Sequence, residues 1–74
     1  MSIYSTVSNV LVRDYEVVRR LTDESIEEIS VLIMEELKGY ENEECTEQFI
    51  YEVAGEVIAT LISRGRRYYE RNTD

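Results

Sequence analysis

Apolar residues recur at helical spacing through three stretches of this chain. The most regular stretch covers residues 46–63, where apolar residues come in pairs every three to four positions. These residues are Phe49, Ile50, Val53, Ala54, Val57, Ile58, Leu61 and Ile62. The repeat covers one face of an α-helix over several turns. We therefore expect residues 46–63 to form the helix against which the other segments pack, with Thr46 as its N-cap.

A second helix is predicted over residues 23–38. Its core stripe consists of Ile26, Ile29, Ile33 and Leu37. Thr22 or Asp23 can cap its start, since either side chain accepts hydrogen bonds from the free N–H groups of the first turn. We expect Gly39 to end the helix in the left-handed conformation, and Gly65 to end or loosen the last helix. The acidic residues 40–45 between the two helices are predicted to form an exposed loop.

Residues 5–20 allow two interpretations. A helical three-four spacing is followed by Ile3, Val7, Val10, Val17 and Leu21. Asp14 interrupts this stripe, and the many β-branched residues also fit a β-hairpin with Arg13 and Asp14 in its turn. A lone hairpin is marginally stable and no other strand candidate is present, so we favour a helix. The sequence therefore predicts an all-α protein, a small three-helix bundle that forms one domain over residues 1–74.

The small size of the chain favours self-association. Seventy-four residues are close to the lower limit for a self-sufficient core, and Cys45 is the only cysteine, so no intrachain disulfide can help. The apolar surface is wider than a three-helix monomer needs, and Ala54, Gly55 and Ala59 would allow another helix to approach closely. We therefore expect a homodimer that buries the surplus apolar face. The alternative is that both faces pack inside one monomer.

Cysteine usage and hydropathy predict the compartment. A single cysteine fits a reducing environment. The first ten residues lack the basic region and apolar run of a signal peptide, and the longest aliphatic run, residues 31–34, is far too short for a membrane span. We therefore expect a cytoplasmic protein without membrane contact, located in the host cell if a phage encodes it.

Catalytic and metal-binding patterns are missing from the sequence. The chain has no histidine, no glycine-rich phosphate loop and no paired cysteines. Adjacent carboxylates such as Glu27 and Glu28 point in different directions on a helix, so they cannot face each other across a substrate. The acidic loop lacks the ligand register of an EF-hand. We expect no enzymatic activity, no cofactor and no specific metal site.

One short string resembles a known family. Glu24, Ser25 and Ile26, at the start of the predicted second helix, are similar to the Asp-Ser-Leu motif of acyl carrier proteins, whose serine is modified. The resemblance covers three residues, and the Asp is replaced by Glu. We therefore expect Ser25 to be a solvent-facing residue of the first turn.

Negative charge is concentrated in the middle of the chain. The net charge is −8, yet residues 23–56 hold twelve carboxylates against Lys38 alone, a net charge of −11. The carboxylates predicted to face outward and bind a partner are Glu24, Glu27, Glu28, Glu35, Glu52 and Glu56. Like charges one helical turn apart cost about 0.2–0.5 kcal/mol per pair, and their Cβ atoms lie about 5–6 Å apart.

These charges suggest a function. Carboxylates at this spacing broadly imitate a row of phosphates, so the acidic face could occupy a basic groove that normally holds DNA or RNA. The leading hypothesis is a small regulator or inhibitor of a basic, nucleic-acid-binding protein, of the nucleic-acid-mimicking or anti-defence kind that phages encode. The alternative interpretation is that the charges only keep a small protein in solution.

The end of the chain is basic and supports two further hypotheses. Its candidate contact residues, for nucleic acid or for a partner, are Arg64, Arg66, Arg67, Tyr68, Tyr69 and Arg71. Arginines could bind phosphates while tyrosines stack on bases. The acidic middle would repel a polyanion, so direct nucleic-acid binding is the secondary hypothesis. The other alternative is a self-associating structural or assembly module, in which basic ends pair with acidic surfaces of a neighbouring copy.

Overall fold

The computed structural model describes residues 2–68 and residue 70. These residues form four α-helices and one short 3-10 helix, which are α1 (Ile3–Asp14), α2 (Glu16–Arg19), α3 (Asp23–Leu37), the 3-10 helix (Asn42–Glu44) and α4 (Glu47–Ser63). No strand occurs in this part of the chain, although Leu21 and Glu70 form one isolated antiparallel bridge. The prediction of an all-α protein built from three long helices is therefore confirmed.

The predicted helix over residues 5–20 is broken at Tyr15. Its backbone is extended there, with φ −120° and ψ 98°, so α1 ends at Asp14 and α2 is a separate short helix. The Tyr15 hydroxyl donates a hydrogen bond of 2.7 Å to the Tyr51 carbonyl, and the two rings stack with their centroids 5.2 Å apart. This tertiary contact stabilises the extended backbone at Tyr15 that separates α1 from α2. The hairpin alternative is wrong, because Val10 and Val12 lie within α1.

Both long acidic helices begin at a threonine. The Thr22 hydroxyl accepts a hydrogen bond of 3.2 Å from the Ser25 N–H, and the Thr46 hydroxyl accepts one of 3.2 Å from the Phe49 N–H. Each bond satisfies an N–H group that the first helical turn leaves without a partner. The predicted N-cap at Thr46 is confirmed, and of the two candidates for α3 the structure selects Thr22.

The two helices end differently. Gly65 has φ +74°, and the chain reverses there because the Arg66 N–H binds the Leu61 carbonyl and the Gly65 N–H binds the Ile62 carbonyl, both at 2.9 Å. This pair of bonds is a Schellman motif. Gly65 is the only glycine with a positive φ in the described residues, so the left-handed conformation predicted for Gly39 is wrong.

The hydrophobic core lies where α1, α3 and α4 meet, and each of these helices contacts the other two. Its buried apolar residues are Val7, Val10, Leu11, Val18, Leu21, Ile26, Ile29, Ile33, Leu37, Ile50 and Ala54. α4 contributes the last two of them, and its half-buried Phe49, Val53, Val57, Ile58 and Leu61 pack against the core. Because α1 and α3 both contact α4, the prediction that other segments pack against residues 46–63 is confirmed for these two helices. α1 contributes three side chains that are at most 1% exposed.

Two serines set the close contact between α1 and α3. Ser30 is fully buried, and its hydroxyl donates a hydrogen bond of 2.8 Å to the Ile26 carbonyl one turn earlier in α3. The Ser8 hydroxyl of α1 lies 3.2 Å from the Ser30 hydroxyl. Because both side chains are short and their polar atoms are paired, the two helices approach closely without leaving a buried polar group unsatisfied.

Candidate functional site

The acidic ridge consists of the exposed residues Glu24, Glu27, Glu28 and Glu35 on α3. At 3.6 residues per turn, the first, third and fourth of these project from the side of α3 opposite the core stripe, and Glu27 lies about 80° around the helix from them. From Glu24 to Glu35 the ridge extends about 16 Å along the helix axis. The prediction that these carboxylates face outward is confirmed.

Two carboxylates of the acidic ridge already contact a cation. Glu28 forms an ion pair with Arg66, and Glu35 forms one with Lys38 at 3.1 Å. All four side chains are about half-exposed or more, and ion pairs of this kind contribute about 0–1 kcal/mol. Glu24 and Glu27 have no ion-pair partner among residues 2–68 and 70. A cationic partner would therefore meet two unpaired carboxylates and two whose present pairs are easily exchanged.

A groove runs between α3 and α4, and we call it the α3–α4 groove. It has a volume of about 610 Å³. Its apolar lining is Leu32, Val53, Val57 and Leu61. Glu35 and Glu36 of α3 and Glu56 of α4 add carboxylates, and Arg64 adds a guanidinium group. The groove therefore offers apolar surface together with charges of both signs.

Glu52 and Glu56 lie one turn apart on the solvent side of α4. Both line a shallow depression next to Tyr15 and Gly55. Glu56 thus borders this depression and the α3–α4 groove. The six predicted carboxylates therefore divide between two regions. Glu35 and Glu56 line the groove and Glu52 lines the adjoining depression, whereas Glu24, Glu27 and Glu28 lie in the first half of α3.

Sequence reasoning missed the contribution of Glu36 and Leu32 to the groove. Both lie one helical turn apart on the flank of α3 that faces α4, between the core stripe and the acidic ridge. Leu32 is 37% exposed, and Tyr40, which also lines the groove, is 48% exposed. The apolar Leu32 outside the core stripe was the available sign, but the stripe alone does not show which neighbour it faces.

The basic segment after α4 makes several contacts within the protein in the described residues. The Arg66 guanidinium pairs with Glu28 and lies over the Tyr68 ring, 5.0 Å from its centroid. The Tyr68 hydroxyl is buried and the residue as a whole is half-buried. Arg64 lines the α3–α4 groove, and Arg67 is exposed. The remaining two predicted contact residues, Tyr69 and Arg71, lie outside the described residues.

Ser25 is buried, so the expectation of a solvent-facing serine is wrong. It is 5% exposed, and the Thr22 hydroxyl donates a hydrogen bond of 3.0 Å to its hydroxyl oxygen while accepting one from its N–H group. The two residues form a small reciprocal cap at the start of α3. A hydroxyl held in this way completes the N-cap and is not presented to a modifying enzyme.

Two titratable groups near the Tyr15 break have shifted pKa values. Burial raises the pKa of Tyr15, and the nearby Tyr51 and Asp14 raise it further, so its hydroxyl stays protonated and donates to the Tyr51 carbonyl. Arg13 donates two hydrogen bonds to Asp14 and thereby lowers the pKa of that carboxyl. Arg13 also binds Glu47 at 2.7 Å, which ties the end of α1 to the start of α4.

Across the described residues, acidic side chains and Cys45 form no group of three that could hold a metal ion. None of the described helices combines the length and apolar character needed to cross a bilayer.

No protein-family model, curated protein or solved structure matches this chain. The fold and the surface define its class, which is a small acidic helical protein with an exposed carboxylate ridge and an adjoining groove of mixed character.

Proposed function

We propose that this chain is a small non-enzymatic binding protein that uses its acidic face to block the basic groove of a nucleic-acid-handling protein. One observation supports this function above others. In the described part of the chain, Glu24, Glu27, Glu36, Glu52 and Glu56 are exposed and have no ion-pair partner. A surface that keeps so many carboxylates unpaired favours a cationic partner.

The physical advantage of such a surface lies in encounter and exclusion. Fixed negative charges attract a basic protein at long range and speed association, and this effect weakens as salt screens the charges. Helical carboxylates one turn apart present negative points about 5–6 Å from each other on a rigid support. A groove occupied by this ridge is closed to DNA or RNA by steric and electrostatic competition. The proposed setting is the cytoplasm, that of the host cell if the inhibitor is phage-encoded.

The test compares two variants of equal net charge. In the ridge variant, glutamine replaces Glu24, Glu27, Glu28 and Glu35. In the control variant, glutamine replaces exposed glutamates away from the ridge and the groove, which are Glu16, Glu43, Glu44 and Glu70. Each protein is immobilised and used to capture partners from the native host, and the captured proteins are quantified by mass spectrometry.

We expect wild type and control to retain the same basic partner and the ridge variant to lose it. Raising salt from about 0.1 M to about 1 M shortens the Debye length from about 10 Å to about 3 Å and should release that partner. Added DNA or RNA should compete with the protein for it. Partners that are neutral or acidic, salt-insensitive binding, or equal retention by the ridge and control variants would contradict the proposal.

A second candidate function is self-association as a structural module. The observation that favours it is exposed apolar surface. Val17 and Ile62 are 69% and 68% exposed and line the same cleft, and Leu32 and Tyr40 are partly exposed at the α3–α4 groove. We infer that a homodimer covers part of this surface. Sedimentation equilibrium that shows only monomer at high protein concentration would rule this function out.

A further inference from the structure

The α3–α4 groove carries both negative and positive charge, so its charge pattern can complement a copy of itself. Glu56 of α4 and Arg64, the C-cap residue of α4, both line the groove and are eight positions apart, or about 12 Å along the helix axis. Thr60 lies midway between them, next to Ala59, and both of these short residues line the groove and are exposed. One face of α4 therefore carries a carboxylate near its middle, small residues one turn later and a guanidinium group at its C-cap.

We propose that the occupant of the α3–α4 groove is a second copy of this chain, with the two α4 helices antiparallel across a twofold axis near Thr60. This inference rests on the self-association proposed above and names its interface. The twofold axis brings Glu56 of each copy opposite Arg64 of the other, so each ion pair forms twice. A contact of this kind uses the same patch on both copies and closes at two.

The direction of the helices follows from the charges. A parallel arrangement would place Glu56 against Glu56 and Arg64 against Arg64, and such like-charge contacts are unfavourable. The antiparallel arrangement replaces both contacts by opposite-charge pairs and also places the helix dipoles in opposite directions. Neither Glu56 nor Arg64 has an ion-pair partner among the described residues, so both are available to a second copy.

The shape of the groove fits the same arrangement. Short side chains at the crossing point allow helix axes to approach within about 8–10 Å. Around that point, Leu32 and Val57 supply apolar surface that the second copy would remove from water. The interface would therefore have an apolar centre with charged groups at its edge, which is the usual anatomy of a specific protein–protein contact.

The test is a charge exchange at the two positions, with sedimentation equilibrium as the measurement. Glu56→Arg places two arginines opposite each other, and Arg64→Glu does the same with glutamates. We expect each single variant to raise the dimer dissociation constant about tenfold or more. The double variant E56R/R64E should dimerise like wild type. An equimolar mixture of the two single variants should form heterodimers, because one copy then presents two arginines and the other two glutamates, so both contacts are opposite-charge pairs.

Matched controls change the same charges beside the groove. Glu52→Arg lies one turn before Glu56 on α4, and Arg67→Glu lies three residues after Arg64. Neither residue lines the groove, so both variants should keep the wild-type dissociation constant. Far-UV circular dichroism and urea unfolding show whether each variant keeps the fold, and the rescue in the mixed sample requires two folded partners.

The outcomes separate the interface from self-association itself. If the single charge variants keep the wild-type dimer dissociation constant, the proposed interface is overturned and self-association still stands. If that dimer is lost on Ile62→Asp instead, the copies meet at the cleft that Val17 and Ile62 line. A wild-type chain that stays monomeric at high concentration overturns both, and the groove would then be left to a different protein.

Discussion

Gly55 provides the sharpest test of how the helices pack, because it lies in the middle of α4 directly below Tyr15. A Cβ atom at Gly55 would lie 2.9 Å from the Tyr15 hydroxyl oxygen, which is closer than carbon and oxygen atoms approach without strain. Tyr15 cannot move away freely, since its hydroxyl is bound to the Tyr51 carbonyl and its ring stacks on Tyr51. Gly55→Ala therefore sets helix propensity against this contact.

The magnitudes favour the contact. In an ordinary helix interior, replacing glycine by alanine stabilises by about 1 kcal/mol. Displacing Tyr15 loses a hydrogen bond of about 0.5–1.5 kcal/mol and a ring pair of about 0.5–1.5 kcal/mol. The combined loss exceeds the gain, so Gly55→Ala should lower the free energy of unfolding by about 1 kcal/mol. In a domain of this size, 1 kcal/mol shifts the Tm by about 4–8 °C.

The sign of the effect should reverse when the hydroxyl is removed. In the Tyr15→Phe background the clashing oxygen is absent, and Gly55→Ala should raise the free energy of unfolding by about 1 kcal/mol through helix propensity alone. Urea unfolding followed by far-UV circular dichroism on the four proteins of this double-mutant cycle measures the coupling. Gly39→Ala is the control, because nothing lies within 4 Å of its added Cβ and its effect should be the same in both backgrounds. Equal stabilisation by Gly55→Ala in both backgrounds would refute the reasoning.

Three further predictions concern stability and use the same unfolding assay. Gly65→Ala should cost about 1–2 kcal/mol, because φ +74° strains a residue with a Cβ, and a neutral result would contradict the Schellman geometry. Ser30→Leu should cost more than Ser30→Ala, since leucine overpacks the α1–α3 contact by about 1–3 kcal/mol while alanine loses hydrogen bonds worth about 1 kcal/mol. Because Arg13 lowers the pKa of Asp14, their contact stabilises the fold above the ordinary carboxyl pKa of about 3.9 and is lost as the pH falls through the lower folded value. Arg13→Ala should therefore flatten the fall in stability with acid, and an unchanged pH profile would show that the contact contributes nothing.

Local signals predicted α3 and α4 well. Thr22 and Thr46 mark their first turns, and hydroxyl caps act within three residues, so a sequence pattern can show them. The break at Tyr15 could not be predicted in this way, because Tyr51, which holds it, is 36 residues away. The stripe did weaken at Asp14, which proved to be the last residue of α1.

The two basic-glycine pairs show the same limit. Lys38 before Gly39 and Arg64 before Gly65 have the same local pattern, yet only Gly65 adopts the left-handed conformation. After Gly39 the chain is bound differently. The Tyr40 N–H binds the Leu37 carbonyl at 3.1 Å, and the Tyr40 ring packs edge-on against Phe49 with centroids 4.8 Å apart. Contacts with α4 thus influence this turn, and a pattern confined to α3 does not include them.

The exposed charges of the candidate site could be predicted from the sequence, but which of them lie together could not. Helical periodicity correctly places Glu24, Glu28 and Glu35 on the solvent side of α3, because that needs only the position of the core stripe. It cannot show that Glu35 and Glu56 share one groove, since this depends on how α3 packs on α4. The pairing of Glu28 with Arg66 joins residues 38 positions apart and was equally hidden.

The position of α1 also governs when the protein can fold during synthesis. The side chains of Val7, Val10 and Leu11 are covered by α3 and α4, and α4 leaves the ribosome last among the helices described here. Until then the nascent chain exposes the apolar face of its first helix, and chains in this state bind chaperones and are prone to aggregate. Compact structure thus forms late in translation, and slowing the ribosome before residue 47 should prolong this vulnerable interval.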